Sequence, residues 1–148
     1  MARRVFFSFH YGRDIWRVNV VRNSGVIEGI SAAGFHDANL WEEAKKKGDA
    51  AVKKLIDDAL NGTVVTAVLI GAETASRRYV SYEIEQSVAR GNGIFGIRIN
   101  DIKDQYGNID NPGPPPVALV GIGAPVYNWE YGRFGEWVEH ALRKAKSP

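Results

Sequence analysis

Glu83 and Glu85 lie two residues apart on a stretch of helical period and bracket its apolar stripe. Val80, Ile84, Ser87 and Val88 form that stripe at spacings of three and four. At about 100° per residue, Glu83 falls on one border of it and Glu85 on the other. A carboxylate at the edge of a core can bind sugar hydroxyls or stabilise a developing cation, whereas one on the outer face is solvated. Periodicity leaves the choice between the two open. The other groups with chemical reach are the histidines. His10, His36 and His140 share no metal-ligand spacing, so no metal is expected. His140 reads as a surface residue on the last helix. His10 and His36 sit at strand ends, where a pocket-lining and a structural role are both open.

Several chemistries fail on spacing. No Gly-x-x-x-x-Gly-Lys-Ser/Thr run follows a strand, and only Gly12 stands where a dinucleotide fingerprint needs three glycines. Ser8-Phe9-His10 offers no acidic residue to hold magnesium after the first strand. The chain has no cysteine, which removes disulfides, thiolate metal sites and a cysteine nucleophile.

The elements that must position these residues alternate. Arg4-Val5-Phe6-Phe7-Ser8-Phe9 is apolar on both faces, as a strand inside a sheet is. Asp14 is the expected cap of a helix to Asn23, with Ile15, Trp16, Val18, Val20 and Val21 facing inward. Ala33-Gly34-Phe35-His36-Asp37 reads as a short second strand. Asp49 caps a helix carrying Val52, Leu55, Ile56, Ala59 and Leu60, which Asn61-Gly62 ends. Residues 63–70 form the strongest strand, residues 77–90 a helix stopped by Gly91, and residues 93–99 a further strand. Residues 100–116 hold Tyr106-Gly107-Asn108 and the proline-rich run from Asn111 to Pro116, so a long surface loop is expected. Val117–Leu119 or Pro125–Tyr127 supplies an edge strand. A last helix turns Phe134, Trp137, Val138, Ala141 and Leu142 to one side.

This order predicts one α/β domain over residues 1–148, with a mostly parallel sheet of about five strands flanked by helices. Ligands in such folds bind beyond the carboxyl ends of the strands. Composition agrees: 148 residues, 45% apolar, 11% aromatic and a formal charge of +2 describe an ordinary globular chain. The Lys45-Lys46-Lys47 cluster and the basic tail read as solvated faces, so no nucleic-acid partner is expected. No apolar run reaches the ~18 residues of a membrane span, and Arg3-Arg4 leads straight into a strand without a signal region. The expected location is the cytoplasm.

The order of short motifs resembles the TIR domain from residue 3 to about residue 140. Val5-Phe6-Phe7-Ser8-Phe9-His10-Tyr11 is similar to its opening strand. Gly34-Phe35-His36-Asp37 is similar to its second strand and aspartate. Ser76-Arg77-Arg78-Tyr79-Val80-Ser81-Tyr82-Glu83-Ile84 is similar to its loop and glutamate helix, with Tyr79 in the place of a tryptophan. Within that family the ThsB branch of the Thoeris anti-phage system is the best match. Ser31-Ala32-Ala33-Gly34, a Leu40-Trp41-Glu42 turn, Arg77-Arg78 and Asp104-Gln105-Tyr106-Gly107-Asn108 carry it.

The resemblance implies a TIR-like, flavodoxin-like fold and an enzyme that breaks the nicotinamide–ribose bond of NAD⁺ to form a cyclic ADP-ribose-type signal. It implies Glu83 as the catalytic residue, and Phe9, His10, Tyr11, Asp37, Trp41 and Arg78 as substrate-binding residues. NAD⁺ is then a substrate, with no cofactor, and the partners are an effector reached through the diffusible signal and other copies of the chain. Two other readings stand beside it: a non-catalytic TIR-like interaction module, and a flavodoxin-like nucleotide binder outside defence.

Overall fold

The computed structural model describes residues 3–24, 30–33 and 38–146. Five strands, β1 (Arg3–Ser8), β2 (Ile30–Ala33), β3 (Val65–Ile70), β4 (Gly93–Arg98) and β5 (Val126–Asn128), form one sheet in the order β2-β1-β3-β4-β5. Every pairing is parallel. β3 is central and buried along its whole length, which accounts for its unbroken apolar and β-branched sequence. The helices are α1 (Tyr11–Arg22), α2 (Ala38–Lys47), α3 (Asp49–Leu60), α4 (Arg78–Arg90), α5 (Val117–Gly121) and α6 (Phe134–Lys146).

Alternation along the strands sends one set of side chains to each face. Val5, Phe7, Ala67, Leu69, Phe95 and Ile97 pack against α1 and α6. On the opposite face Phe6 meets α2 and α3, while Val68 and Ile70 meet α4 and α5. The fold is therefore the three-layer α/β arrangement expected. β1 pairs with β2 on one side and with β3 on the other, so the sheet's growth reverses there. This opens a crevice at the carboxyl ends of β1 and β3.

Several local expectations are corrected. His10, not Asp14, caps α1: its Nδ1 accepts the Arg13 N–H at 3.3 Å, and Asp14 turns into the interior instead. Trp16, Val20 and Val88, expected to face inward, are substantially exposed. The expected turn at Leu40-Trp41-Glu42 belongs to α2. The second strand ends at Ala33, and the rest of its expected span, residues 34–37, lies outside the described residues. β3 starts at Val65 because the Thr63 hydroxyl donates to Leu60 O at 2.6 Å and closes the end of α3. Val117 opens a short helix, leaving Val126–Asn128 as the edge strand.

Residues 100–116 contain no helix or strand, yet they are firmly tied down. Arg13 donates through Nε and Nη2 to Asp110, each bond 2.9 Å. Arg17 donates to the carbonyls of Ile102 and Asn108 at 2.7 and 2.9 Å. Gly113 lies so near the Gly71 and Ala72 carbonyls that any Cβ would collide with them.

Candidate active site

Ser8 is the last residue of β1, a fully buried polar side chain directly after the apolar run Val5-Phe6-Phe7. It shares a face with Phe6, two residues earlier, and so looks toward α4. Val80 and Ile84 seat α4 on Val68 and Ile70, and this rotation brings Glu83 inward and leaves Glu85 exposed. The Ser8 hydroxyl donates to Glu83 Oε1 at 2.7 Å, with the glutamate only 4% exposed. One turn on, the Ser87 hydroxyl donates to Glu83 O at 2.7 Å and lies 2.7 Å from Thr66 Oγ1 on β3. Both the side chain and the backbone of Glu83 are thereby fixed to the two strands that border the crevice.

Glu83 lines a cavity of about 110 Å³ at that crevice. Phe9, His10, Tyr11 and Gly12 form one wall, and the Phe9 and Tyr11 rings stack with centroids 5.8 Å apart. Tyr79, Val80 and Arg77 form a second wall, and Glu42 and Lys45 of α2 form the third. His10 titrates below its ordinary value, first because of burial and then because of the Arg77 charge. Its imidazole is accordingly neutral at pH 7. Larger hollows exist at the amino end of β4 and outside α1, about 270 and 510 Å³, but among the described residues no carboxylate lines either.

Of the residues singled out from sequence, Phe9, His10, Tyr11 and Glu83 come together in this cavity. Arg78 does not line it. Its guanidinium lies over the Tyr79 ring, 4.7 Å from the centroid, and donates to Asp49 Oδ1 at 2.7 Å. The Tyr79 hydroxyl donates to the same oxygen at 2.9 Å. This pulls Asp49 below the ordinary carboxylate range, the tyrosine bond being the main cause. Asp37 lies outside the described residues, and Trp41 falls within α2. Ser8, Arg77 and Glu42 were named only within the motifs and Lys45 only as part of a solvated face, none of them as a site residue. A lone serine on the inner face of a buried strand was the legible signal for the first of them.

A second buried carboxylate sits across the sheet. Asp14 on α1 is wholly buried, its Oδ2 is 3.5 Å from the Thr74 hydroxyl, and its Oδ1 has no hydrogen-bond partner among the described residues. Burial pushes it up to about 6, against the pull of Arg17.

A parallel sheet of this order, with a buried glutamate facing the end of its first strand at the switch point, fits the architecture of a TIR-like α/β domain. The chain belongs to the family described as Thoeris protein ThsB, TIR-like domain, whose model matches residues 6–104. It is 50% identical over 150 aligned residues to a Bacillus cereus (strain MSX-D12) protein named "Putative cyclic ADP-D-ribose synthase ThsB1". That match covers 95% of this chain and 78% of the relative.

Proposed function

We propose that this chain is an NAD⁺-processing enzyme of anti-phage defence that cleaves the nicotinamide–ribose bond and closes the remaining ADP-ribose into a cyclic signal. The observation that carries the reading is the Ser8–Glu83 pair at the floor of the switch-point cavity. Family membership and the name of the B. cereus relative support the choice of substrate.

Nicotinamide in NAD⁺ is already a cationic leaving group, so its departure needs no strong acid. The C–N bond breaks, its electron pair goes to the ring nitrogen, and neutral nicotinamide leaves. Positive charge then develops on the ribose. Glu83 is the group that stabilises this charge and accepts from the ribose hydroxyls. Ser8 occupies one lone pair of Oε1 and holds the carboxylate in one orientation, which limits reorganisation as the charge appears. The aromatic wall of Phe9, Tyr11 and Tyr79 keeps water sparse. A nucleophilic atom of the same ADP-ribose captures the ribose carbon and releases one proton, giving the cyclic product. Capture by water instead gives ADP-ribose.

The test uses cells carrying the partner effector, challenged with phage, and compares wild type with Glu83→Gln and Glu85→Gln. Nucleotides extracted from the same cells are read by mass spectrometry. Wild type should protect and make a cyclic ADP-ribose-type product, Glu83→Gln should do neither, and Glu85→Gln should match wild type. Equal protection by Glu83→Gln would leave the non-catalytic interaction module as the correct reading.

A further inference from the structure

The cavity beside Glu83 is too small for a dinucleotide. Sites that enclose drug-sized ligands run to roughly 300–1,000 Å³, and this one is about 110 Å³, room for a ribose-sized piece. The rest of any dinucleotide must cross the rim, and the character of that rim decides which part goes where.

Two cations stand on it. Arg77 precedes α4, is exposed, and makes no ion pair or side-chain hydrogen bond among the described residues. Its neighbour Arg78, in contrast, is committed to Asp49 and Tyr79. Lys45 lies across the opening on α2; among the described residues its ion pair is with Glu42 at 3.9 Å, with both side chains about half exposed or more. A pair of that length in water is weak, so Lys45 can turn to a better partner. Among the described lining residues the buried carboxylate is Glu83, while Arg77, Lys45 and Glu42 are exposed, so the net positive charge lies at the mouth and the site is polarised along its depth.

We propose that Arg77, with Lys45 opposite, is the diphosphate subsite of this chain, clamping the bridge of the dinucleotide at the rim so that its ribosyl end is directed inward to Glu83. This rests on the reading of the cavity as an NAD⁺ site and adds the polarity of binding. A planar guanidinium matches the oxygens of a phosphate in a fork, and an ammonium adds a movable point charge. Arg78, the arginine that the motif resemblance favours, is engaged elsewhere and holds Tyr79 against α3.

His10 should sense the bound diphosphate. It faces Arg77 from the start of α4, Glu73 from the loop after β3 and Arg13 from the helix it caps. A diphosphate at the rim offsets the Arg77 charge, so the imidazole should gain its proton more readily.

The experiment measures ADP-ribose binding by calorimetry to wild type, Arg77→Gln, Lys45→Gln, Arg78→Gln and the distant surface control Arg143→Gln. ADP-ribose lacks the scissile bond, so its binding reports the rim whether or not the chain turns over NAD⁺. Loss of one charge-assisted contact should weaken binding by roughly tenfold or more for Arg77→Gln and by about threefold for Lys45→Gln. Arg143→Gln should bind as wild type does, and Arg78→Gln, which touches the site only through Tyr79, should lose less affinity than Arg77→Gln. In parallel, the NMR titration midpoint of His10 should rise when wild type is saturated with ADP-ribose, and should rise without ligand in Arg77→Gln. Equal affinity of wild type and Arg77→Gln, no binding to wild type at millimolar ADP-ribose, or a His10 midpoint indifferent to ligand would each overturn the subsite. Inactivity toward NAD⁺ with Arg77-dependent ADP-ribose binding would instead sink the catalytic reading and leave the subsite standing.

Discussion

Two carboxylates are buried at the same end of this sheet, one on each face, and their surroundings differ. Glu83 on α4 is held by the Ser8 hydroxyl and borders a cavity. Asp14 on α1 has one oxygen without a partner among the described residues, and it is sealed by Gly71 and Thr74. Burial alone therefore does not make an active site. What separates the two is access for a ligand and a donor that fixes the carboxylate. Asp14, for which burial outweighs its neighbours, has the raised titration expected of a charge in the wrong solvent.

Activity is where the two carboxylates should part most widely. Glu83→Gln should reduce conversion of NAD⁺ by about 10²–10³-fold, the usual cost of removing one preorganised electrostatic contact, while Asp14→Asn keeps it within about twofold. Product formation by chromatography decides, and comparable losses in both variants would erase the distinction.

The next effect is on stability. Folded Asp14 keeps its proton up to about 6, against 3.8 for the ordinary group. Between those values the folded state binds more protons than the unfolded one, so wild type loses stability as the pH climbs through that window. Asp14→Asn escapes the loss. Its stability relative to wild type should rise by roughly 2.5 kcal/mol from pH 4 to pH 8 in urea unfolding, and a flat difference would mean that Asp14 ionises freely.

Gly71→Ala probes the sealed side through packing. Its Cβ would run into the Asp14 carboxylate, at a cost of about 1–3 kcal/mol, read as a lower melting temperature. Ser8→Ala should be the mildest: roughly 1 kcal/mol of stability, because one bond to a buried acceptor is lost, and roughly a tenfold drop in turnover. A Ser8→Ala protein as active as wild type would show that Glu83 needs no positioning.

Much of this frame was legible in the chain. The continuous β-branched run of β3 and the five inward positions of α6 required their structures, because each pattern fits one period and one burial state. The glutamates were less so. Glu83 and Glu85 are symmetric about the stripe, and only the fit of Val80 and Ile84 on β3 turns one inward. Arg77 and Arg78 show the same difficulty. Adjacent residues at a helix start point in different directions, and the choice rests on Asp49, a residue of another helix. Asp14 does not act as the cap its type suggests because His10 supplies that bond from a ring nitrogen, a less common provider of this service than aspartate.

The bond between Ser8 and Glu83 spans 75 positions of sequence. A ribosome must therefore make more than half of the chain, and β1 must wait for α4, before the carboxylate acquires its setting. Ser8 and every residue that lines the cavity besides Glu83 are made before it, so a chain stopped short of residue 83 has the residues of the walls and the rim but not this carboxylate. For a protein proposed to consume NAD⁺, chain order therefore puts the reacting carboxylate last among the residues that surround it.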